Sequence, residues 1–195
     1  MFTATLSHEA QAALALLGKS GLVKDAYLAG GSALALHYGH RISIDLDFFS
    51  TTPFIPSDFG KKLKGIGVFH TSFAKGITLD YPLIEKTTLL FEVPIAHPHD
   101  IAAMKLVAIT DRSTKKDFVD LYELIGQGIS LDRMLELYQK KYHMLDENIY
   151  TLLRALRYFD EIEHSAMPEM LSPLSWDEVK QFFIAESMRL ARGLL

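Results

Sequence analysis

The chain has no cysteine among its 195 residues. Disulfides and thiolate metal sites are therefore excluded, which suits a reducing cytosol. No apolar run approaches the roughly 18–20 residues needed to span a bilayer, so no membrane association is expected. The first residues, Met1-Phe2-Thr3-Ala4, carry no basic segment ahead of an apolar helix, and no signal peptide is expected. Basic charge is not in excess either. A formal net charge of -4 argues against a broadly basic, nonspecific nucleic-acid binder and leaves room for a local basic cleft. Glycine becomes scarce along the chain: beyond Gly76 only Gly126, Gly128 and Gly193 remain. Glycine marks turns between short elements, so its loss implies a change of architecture.

What is present supports a packed protein. Hydrophobic residues make up 49% and charged residues 23%, enough for a core and unlike a disordered chain. The length fits one domain, or one with an appendage, at about 100–200 residues per domain. The first half alternates elements. Ser7 caps a helix ending near Gly18, Ala26 to Ala29 is a strand, Ser32 to Tyr38 a helix and Ser43 to Phe49 a strand. Ser57 then caps a helix to about Lys64, and the alternating stretch from Val68 to Val93 reads as two or three antiparallel strands. The second half is helical: Asp100 to about Asp111, Lys115 to Ile125, Leu131 to Tyr142, Asp146 to Glu163, and a last amphipathic helix from a Ser175 cap to Leu194. The expected fold is α/β (α+β): a mixed or antiparallel sheet flanked by helices in residues 1–97, with a helical region in residues 98–195 completing the site.

The chemistry concentrates in Leu28-Ala29-Gly30-Gly31-Ser32 and, twelve residues on, Ile44-Asp45-Leu46-Asp47-Phe48. Two acids spaced i, i+2 mean little alone, since composition gives about three such pairs by chance in this chain. Glu161 and Glu163 are one such pair and carry no assigned chemistry. Asp45 and Asp47 differ in context. On a strand both carboxylates share one face, with Ile44, Leu46 and Phe48 on the core side. Neighbouring carboxylates keep their charge best around a cation. Magnesium accepts one or two protein carboxylates plus phosphate oxygens and water. Gly30 and Gly31 let the backbone approach a phosphate, and Ser32 starts a helix whose free N–H groups and dipole favour an anion. The plainer alternative is a strand–turn–helix with Ser32 as a cap and two solvated acids.

Lys105 sits in a helix apolar on nearly every face, Ile101 to Ile109, and needs a carboxylate or a triphosphate as partner, unless its stem merely covers the core. Thr114 and Asp117 have capping-box spacing, and Asp120 lies one turn on. Arg112 can bind phosphate or pair with Asp120. Arg41 can meet a triphosphate or pair with Asp45. His37 and His40 fall at a helix end. His97 and His99 flank Pro98 and give only a weak zinc signal. Trp176 reads as a packing anchor. Lys61, Lys62, Lys64, Lys115, Lys116, Lys140 and Lys141 are candidate rim charges or plain solvated surface.

Gly31-Ser32, twelve residues, then Asp45-Leu46-Asp47 resembles the signature of the DNA polymerase beta nucleotidyltransferase superfamily. The fuller strings Leu28 to Leu36, Gly39-His40-Arg41 and Ile44 to Phe49 look more specifically like the AbiEii/AbiGii abortive-infection toxins. The resemblance continues at Asp100 to Lys105 and at Arg112 to Tyr122. It implies a cytoplasmic magnesium-dependent (or manganese-dependent) nucleotidyltransferase that moves a nucleotide from an NTP to an acceptor hydroxyl. Asp45 and Asp47, with Asp80 as third carboxylate, would hold the metal; Glu85 and Glu92 are substitutes for Asp80. Asp45, Asp47, Lys105 and Asp120 would carry catalysis, Asp120 either directly or as support. Gly30, Gly31, Ser32, Arg41, Arg112, Lys116 and Asp117 would meet the NTP. The biological implication is a toxin acting on tRNA, with a cognate antitoxin protein as partner. The alternatives are a non-toxic transferase with a small-molecule or protein acceptor, and an inactive nucleotide- or partner-binding module.

Overall fold

The computed structural model describes residues 1–50, 52, 55–67, 83–143 and 146–193, apart from the side chains of Pro56, Arg112 and residues 146–148. Asp80 and most of the expected Val68–Val93 sheet region lie outside the described residues.

A 3-10 turn (Thr3–Thr5) leads into α1 (His8–Ser20), where the Ser7 hydroxyl accepts from the Ala10 N–H at 3.1 Å and Gly21 closes the helix at φ 68°. β1 (Ala26–Ala29) runs straight into α2 (Gly30–Tyr38). β2 (Asp47–Ser50) and α3 (Pro56–Ile66) follow. β3 (Thr88–Leu90) and β4 (Val93–Ile95) form a hairpin. Then come α4 (Pro98–Arg112), α5 (Lys115–Gly126), α6 (Leu131–Tyr142), α7 (Asp146–Ala155) and α8 (Trp176–Gly193).

The sheet order is β2-β1-β4-β3. β1 pairs antiparallel with β2 and parallel with β4, while β3 and β4 are antiparallel. The mixed sheet and its flanking helices are the α+β architecture the sequence pattern implies. β1 is central, so Leu28 and Ala29 are fully buried, as are Ala33 to Leu36 one turn later. α4 packs against α2, α5, α6 and α7, so its apolar residues Ile101, Ala102, Ala103 and Leu106 lie at the centre of a continuous core. Phe118, Phe159, Trp176 and Phe183 form an aromatic cluster that docks α8, with ring centroids 5.1–5.8 Å apart. Trp176 is the anchor its position implied.

Several boundaries differ from expectation for identifiable reasons. Residues 43–46, expected as the start of this strand, do not extend β2. Arg41 bridges Met170 and Ser43 bridges Leu6, so this segment is held between the N-terminal turn and residues 169–171 before the chain enters the main sheet. Ile44, expected on the core side, is 66% exposed. α3 starts at Pro56 rather than from a Ser57 cap, because proline presets the first helical φ. α4 is capped by the His97 ring, whose Nδ1 accepts from the His99 N–H at 3.1 Å. Asp100, expected as the cap, turns inward. α7 ends at Ala155 rather than Glu163; the chain then turns through i, i−3 bonds that bring Phe159 and Ile162 into the core.

Candidate active site

β1 and β2 bring the two halves of the motif together. Their register places Ala29 opposite Asp47, one residue before the glycine pair. Gly30 has φ 66°, the left-handed region where a side chain is strained. A Cβ there would also sit 2.8 Å from Asp47 Oδ2, so the carboxylate lies against the bare turn. Ala29 supplies no side-chain cap, so the N–H groups of Gly30, Gly31 and Ser32 start α2 without intrahelical acceptors. Asp45 and Asp47 are both exposed.

Beneath this lip lies a buried ionic hub. Asp120 of α5 is fully buried. Its Oδ1 accepts from His40 Nε2 at 2.8 Å and Arg41 Nε at 2.7 Å; its Oδ2 accepts from Arg41 Nη2 at 3.0 Å and pairs with Lys105 Nζ at 2.6 Å. Lys105 also donates to Asp117 Oδ1 at 2.8 Å. Asp117 Oδ2 accepts from the Thr114 N–H and hydroxyl at 3.1 and 2.7 Å, so the capping box is formed. Arg41 and Lys105 against Asp117 and Asp120 make two positive and two negative charges, so the hub carries no surplus positive charge.

Burial alone would raise the Asp120 pKa. Lys105, followed by His40 and Arg41, outweighs it and holds the carboxyl far below the usual carboxylate range. Burial likewise works to lower the Lys105 and Arg41 pKa values, and the carboxylates, Asp120 foremost, drive both upward instead. Asp45 adds a smaller upward push on Arg41, which ties the hub to the exposed pair.

Several expectations are revised by this geometry. Arg41 pairs with Asp120, not with Asp45, and is only 3% exposed. Lys105 is matched by carboxylates, the first of its two options. Asp120, for which support and direct catalysis were both open, is buried under four donor contacts. The Ser32 hydroxyl is not open to a phosphate: it lies 2.8 Å from Ser43 Oγ and bonds the Asp45 carbonyl oxygen. Lys116 is exposed beside the hub, whereas Lys115 is buried, donating to the Glu163 carbonyl at 2.6 Å below the Trp176 ring. Lys141 is buried against Asp100 at 2.6 Å, so neither Lys115 nor Lys141 is a rim charge. The Asp100 carboxylate also accepts from the Ile84 and Glu85 N–H groups at 2.9 and 3.1 Å. Arg112 ends α4, its side chain outside the described part.

No group of three or more metal-ligating side chains occurs among the described residues, so Glu85 and Glu92 do not join Asp45 and Asp47. An exposed carboxylate against a helix N-terminus, with a second exposed aspartate two residues before it, nevertheless suits a magnesium ion shared with phosphate oxygens. Sequence reasoning missed His40 as an Asp120 donor, because an approach across 80 residues leaves no periodic trace. The adjacency of His40 and Arg41 after the Gly39 helix stop was the available signal. Among the described residues His40 Nδ1 is buried without a partner. Ionised Asp120 can only accept, so the ring proton sits on Nε2.

Among the described residues no helix is long and apolar enough to cross a membrane. No solved structure matches the chain. It is 34% identical over 197 aligned positions to the uncharacterized protein aq_aa25 of Aquifex aeolicus strain VF5, covering 91% of this chain and 94% of that relative. The family model described as nucleotidyl transferase AbiEii toxin, type IV TA system, matches residues 12–75 and 68–191. With the glycine turn, the aspartate pair and the buried hub all within those spans, the chain belongs to the AbiEii nucleotidyl transferase toxin family of type IV toxin–antitoxin systems.

Proposed function

We propose that the protein is a cytoplasmic, magnesium-dependent nucleotidyltransferase that transfers a nucleotide from an NTP to a tRNA hydroxyl, with a cognate antitoxin protein as its partner. The observation that carries the reading is the packing of the Asp47 carboxylate against the uncapped Gly30–Gly31 start of α2, with exposed Asp45 two residues before it. Asp45 and Asp47 hold the cation, manganese substituting for magnesium, and Asp80 is the third carboxylate. A divalent cation held there would supply Lewis-acid chemistry, polarising the α-phosphate and offsetting charge on the departing pyrophosphate. The N–H groups of Gly30, Gly31 and Ser32 receive the β- and γ-phosphates, assisted by the helix dipole. Lys116 and Arg112 add positive charge toward the triphosphate.

Lys105, Asp117, Asp120 and Arg41 act as the rigid base on which the aspartate-bearing segment rests. Because their charges balance internally, the base holds its geometry without competing for the metal. Such in-line chemistry needs positioning and charge stabilisation more than covalent participation.

The test uses purified protein, magnesium, each α-labelled NTP and separate tRNA, protein and small-molecule pools. Label appearing in tRNA, dependent on magnesium, is the expected result. Label only in the protein or small-molecule pool would give the acceptor to the non-toxic alternative; NTP binding with no transfer to any pool would leave a binding module.

A further inference from the structure

We propose that the outward face of α7 and the turn after it, formed by Tyr150, Arg154, Arg157 and Tyr158, binds a single-stranded part of the acceptor tRNA and leads it toward the first turn of α5. The inference rests on the reading of tRNA as the acceptor.

Positions 150, 154, 157 and 158 have i, i+4, i+7 and i+8 spacing, which places them on one helix face. α7 ends at Ala155, and bonds from the Leu156, Arg157 and Tyr158 N–H groups to the Leu152, Arg154 and Ala155 carbonyls carry its winding through Tyr158. The other face, with Ile149, Leu152, Leu153 and Leu156, is buried in the core, where α7 meets α4 and α8. The four outward residues are all exposed, Tyr150 by 48% and Tyr158 by 51%. Tyr138 of α6, in contrast, is buried, so core packing accounts for it and not for the two outward rings.

The charge on this face is uncommitted. Arg41, Arg133 and Arg189 are each held by carboxylates, whereas Arg154 and Arg157 meet none among the described residues. No acid occurs from Ile149 to Tyr158, in a chain whose net charge is -4. Asp160 and Glu161, exposed in the next turn, end the positive stretch. A guanidinium pairs with phosphate and a tyrosine ring stacks on a base, and interleaving the two holds a single strand. Paired bases are already stacked, so an unpaired segment is favoured over a duplex.

The face ends beside the candidate site. Phe159, next to Tyr158, packs on the Trp176 ring at 5.7 Å, and Lys115 Nζ lies 5.3 Å from the same ring. Lys115 opens α5; exposed Lys116 follows it, then Asp117, which pairs with Lys105. Asp117 and Asp45 both push the Arg41 pKa upward, so the first turn of α5 and the aspartate-bearing segment gather around one guanidinium.

The experiment compares wild type, Arg154→Gln/Arg157→Gln, Tyr158→Ala, Tyr158→Phe and Lys19→Gln/Lys24→Gln. Lys19 and Lys24 are exposed near the start of β1, at the opposite end of that strand from Gly30, and their loss lowers the net charge as much as loss of the two arginines. Affinity for a tRNA pool is measured by fluorescence anisotropy over a range of salt, alongside kcat and KM for transfer. The arginine variant should lower the slope of log affinity against log salt by about 1.4, at roughly 0.7 per single-strand phosphate contact. Tyr158→Ala should weaken binding by about 5-fold or more, the low end for a stacked base, and Tyr158→Phe should bind like wild type. In the arginine variant and Tyr158→Ala, KM for tRNA should rise more than kcat falls, with KM for NTP unchanged. The lysine variant should keep the wild-type affinity and slope. An arginine variant or Tyr158→Ala that binds tRNA like wild type overturns the proposal and leaves the acceptor reading intact; a lysine variant that loses as much as the arginine variant assigns the effect to net charge and overturns it too. Wild type that neither binds nor labels tRNA refutes the acceptor reading, and the proposal falls with it.

Discussion

Adding one methyl group at Gly31 sets helix propensity directly against the buried hub. Gly31 lies inside α2 and outside the left-handed region, so its backbone accepts alanine. On propensity alone, Gly31→Ala should stabilise by about 0.5–1 kcal/mol. The surroundings forbid it. The new Cβ would stand 1.9 Å from Arg41 Nη2, 3.1 Å from its Cζ and 3.3 Å from Asp120 Oδ2. The guanidinium cannot swing away freely, because Asp120, Ser43 and the Ile42 carbonyl hold it. Separating a buried ion pair typically costs about 3–5 kcal/mol. Subtracting the propensity gain leaves a net loss of about 2–4 kcal/mol. A protein of this size shifts by about 2–4 °C per kcal/mol, so Gly31→Ala should melt on the order of 5–15 °C lower. Circular dichroism melting of Gly31→Ala beside Gly60→Ala provides the assay. Gly60 lies in α3 with open space around the added carbon, so that variant should match or slightly exceed wild type. A Gly31→Ala protein that melts at or above wild type would refute the tight packing of Arg41 under α2.

Two further outcomes follow from the buried charges. Asp120 is depressed well below the roughly 3.9 of an unfolded aspartate, so its contribution is complete above that value and is lost as pH falls below it. The stability gap between wild type and Asp120→Asn, from urea unfolding, should therefore be constant from pH 7 to about 4.5 and shrink toward pH 2.5; a gap that widens on acidification contradicts the assignment. Lys141→Met leaves Asp100 buried without its ammonium and should cost about 3–5 kcal/mol in the same assay, partly restored by adding Asp100→Asn; an unchanged unfolding midpoint would show the pair to be unimportant.

The local signals in the sequence translated well into structure. Ala26–Ala29 and Leu131–Tyr142 have the bounds the pattern implies, and Thr114 with Asp117 forms the box its spacing announces. Burial of the α4 face required a partner for Lys105, and carboxylates supply it. What stayed hidden is nonlocal. Arg41 and Asp120 meet across 79 residues, and Lys141 and Asp100 across 41, with no periodicity to mark either pair. Asp100 illustrates the competition: it sits where a cap is expected, yet the His97 ring takes that task and frees the carboxylate for Lys141 and two backbone amides. Ser43 reads as the start of a strand that the main sheet takes up only at Asp47, because Ser43 pairs instead with residues 5–6, which no local pattern names.

The central claim is that the exposed pair beside the glycine turn performs nucleotidyl transfer. Transfer of labelled nucleotide with magnesium, measured for wild type and Asp47→Ala at equal folded concentration, tests it most directly. Asp47 is exposed, and substitution at such a surface position typically changes stability by only about 0.5 kcal/mol either way. The account predicts loss of transfer with a melting temperature close to wild type; a folded Asp47→Ala protein that transfers nucleotide at the wild-type rate would contradict it.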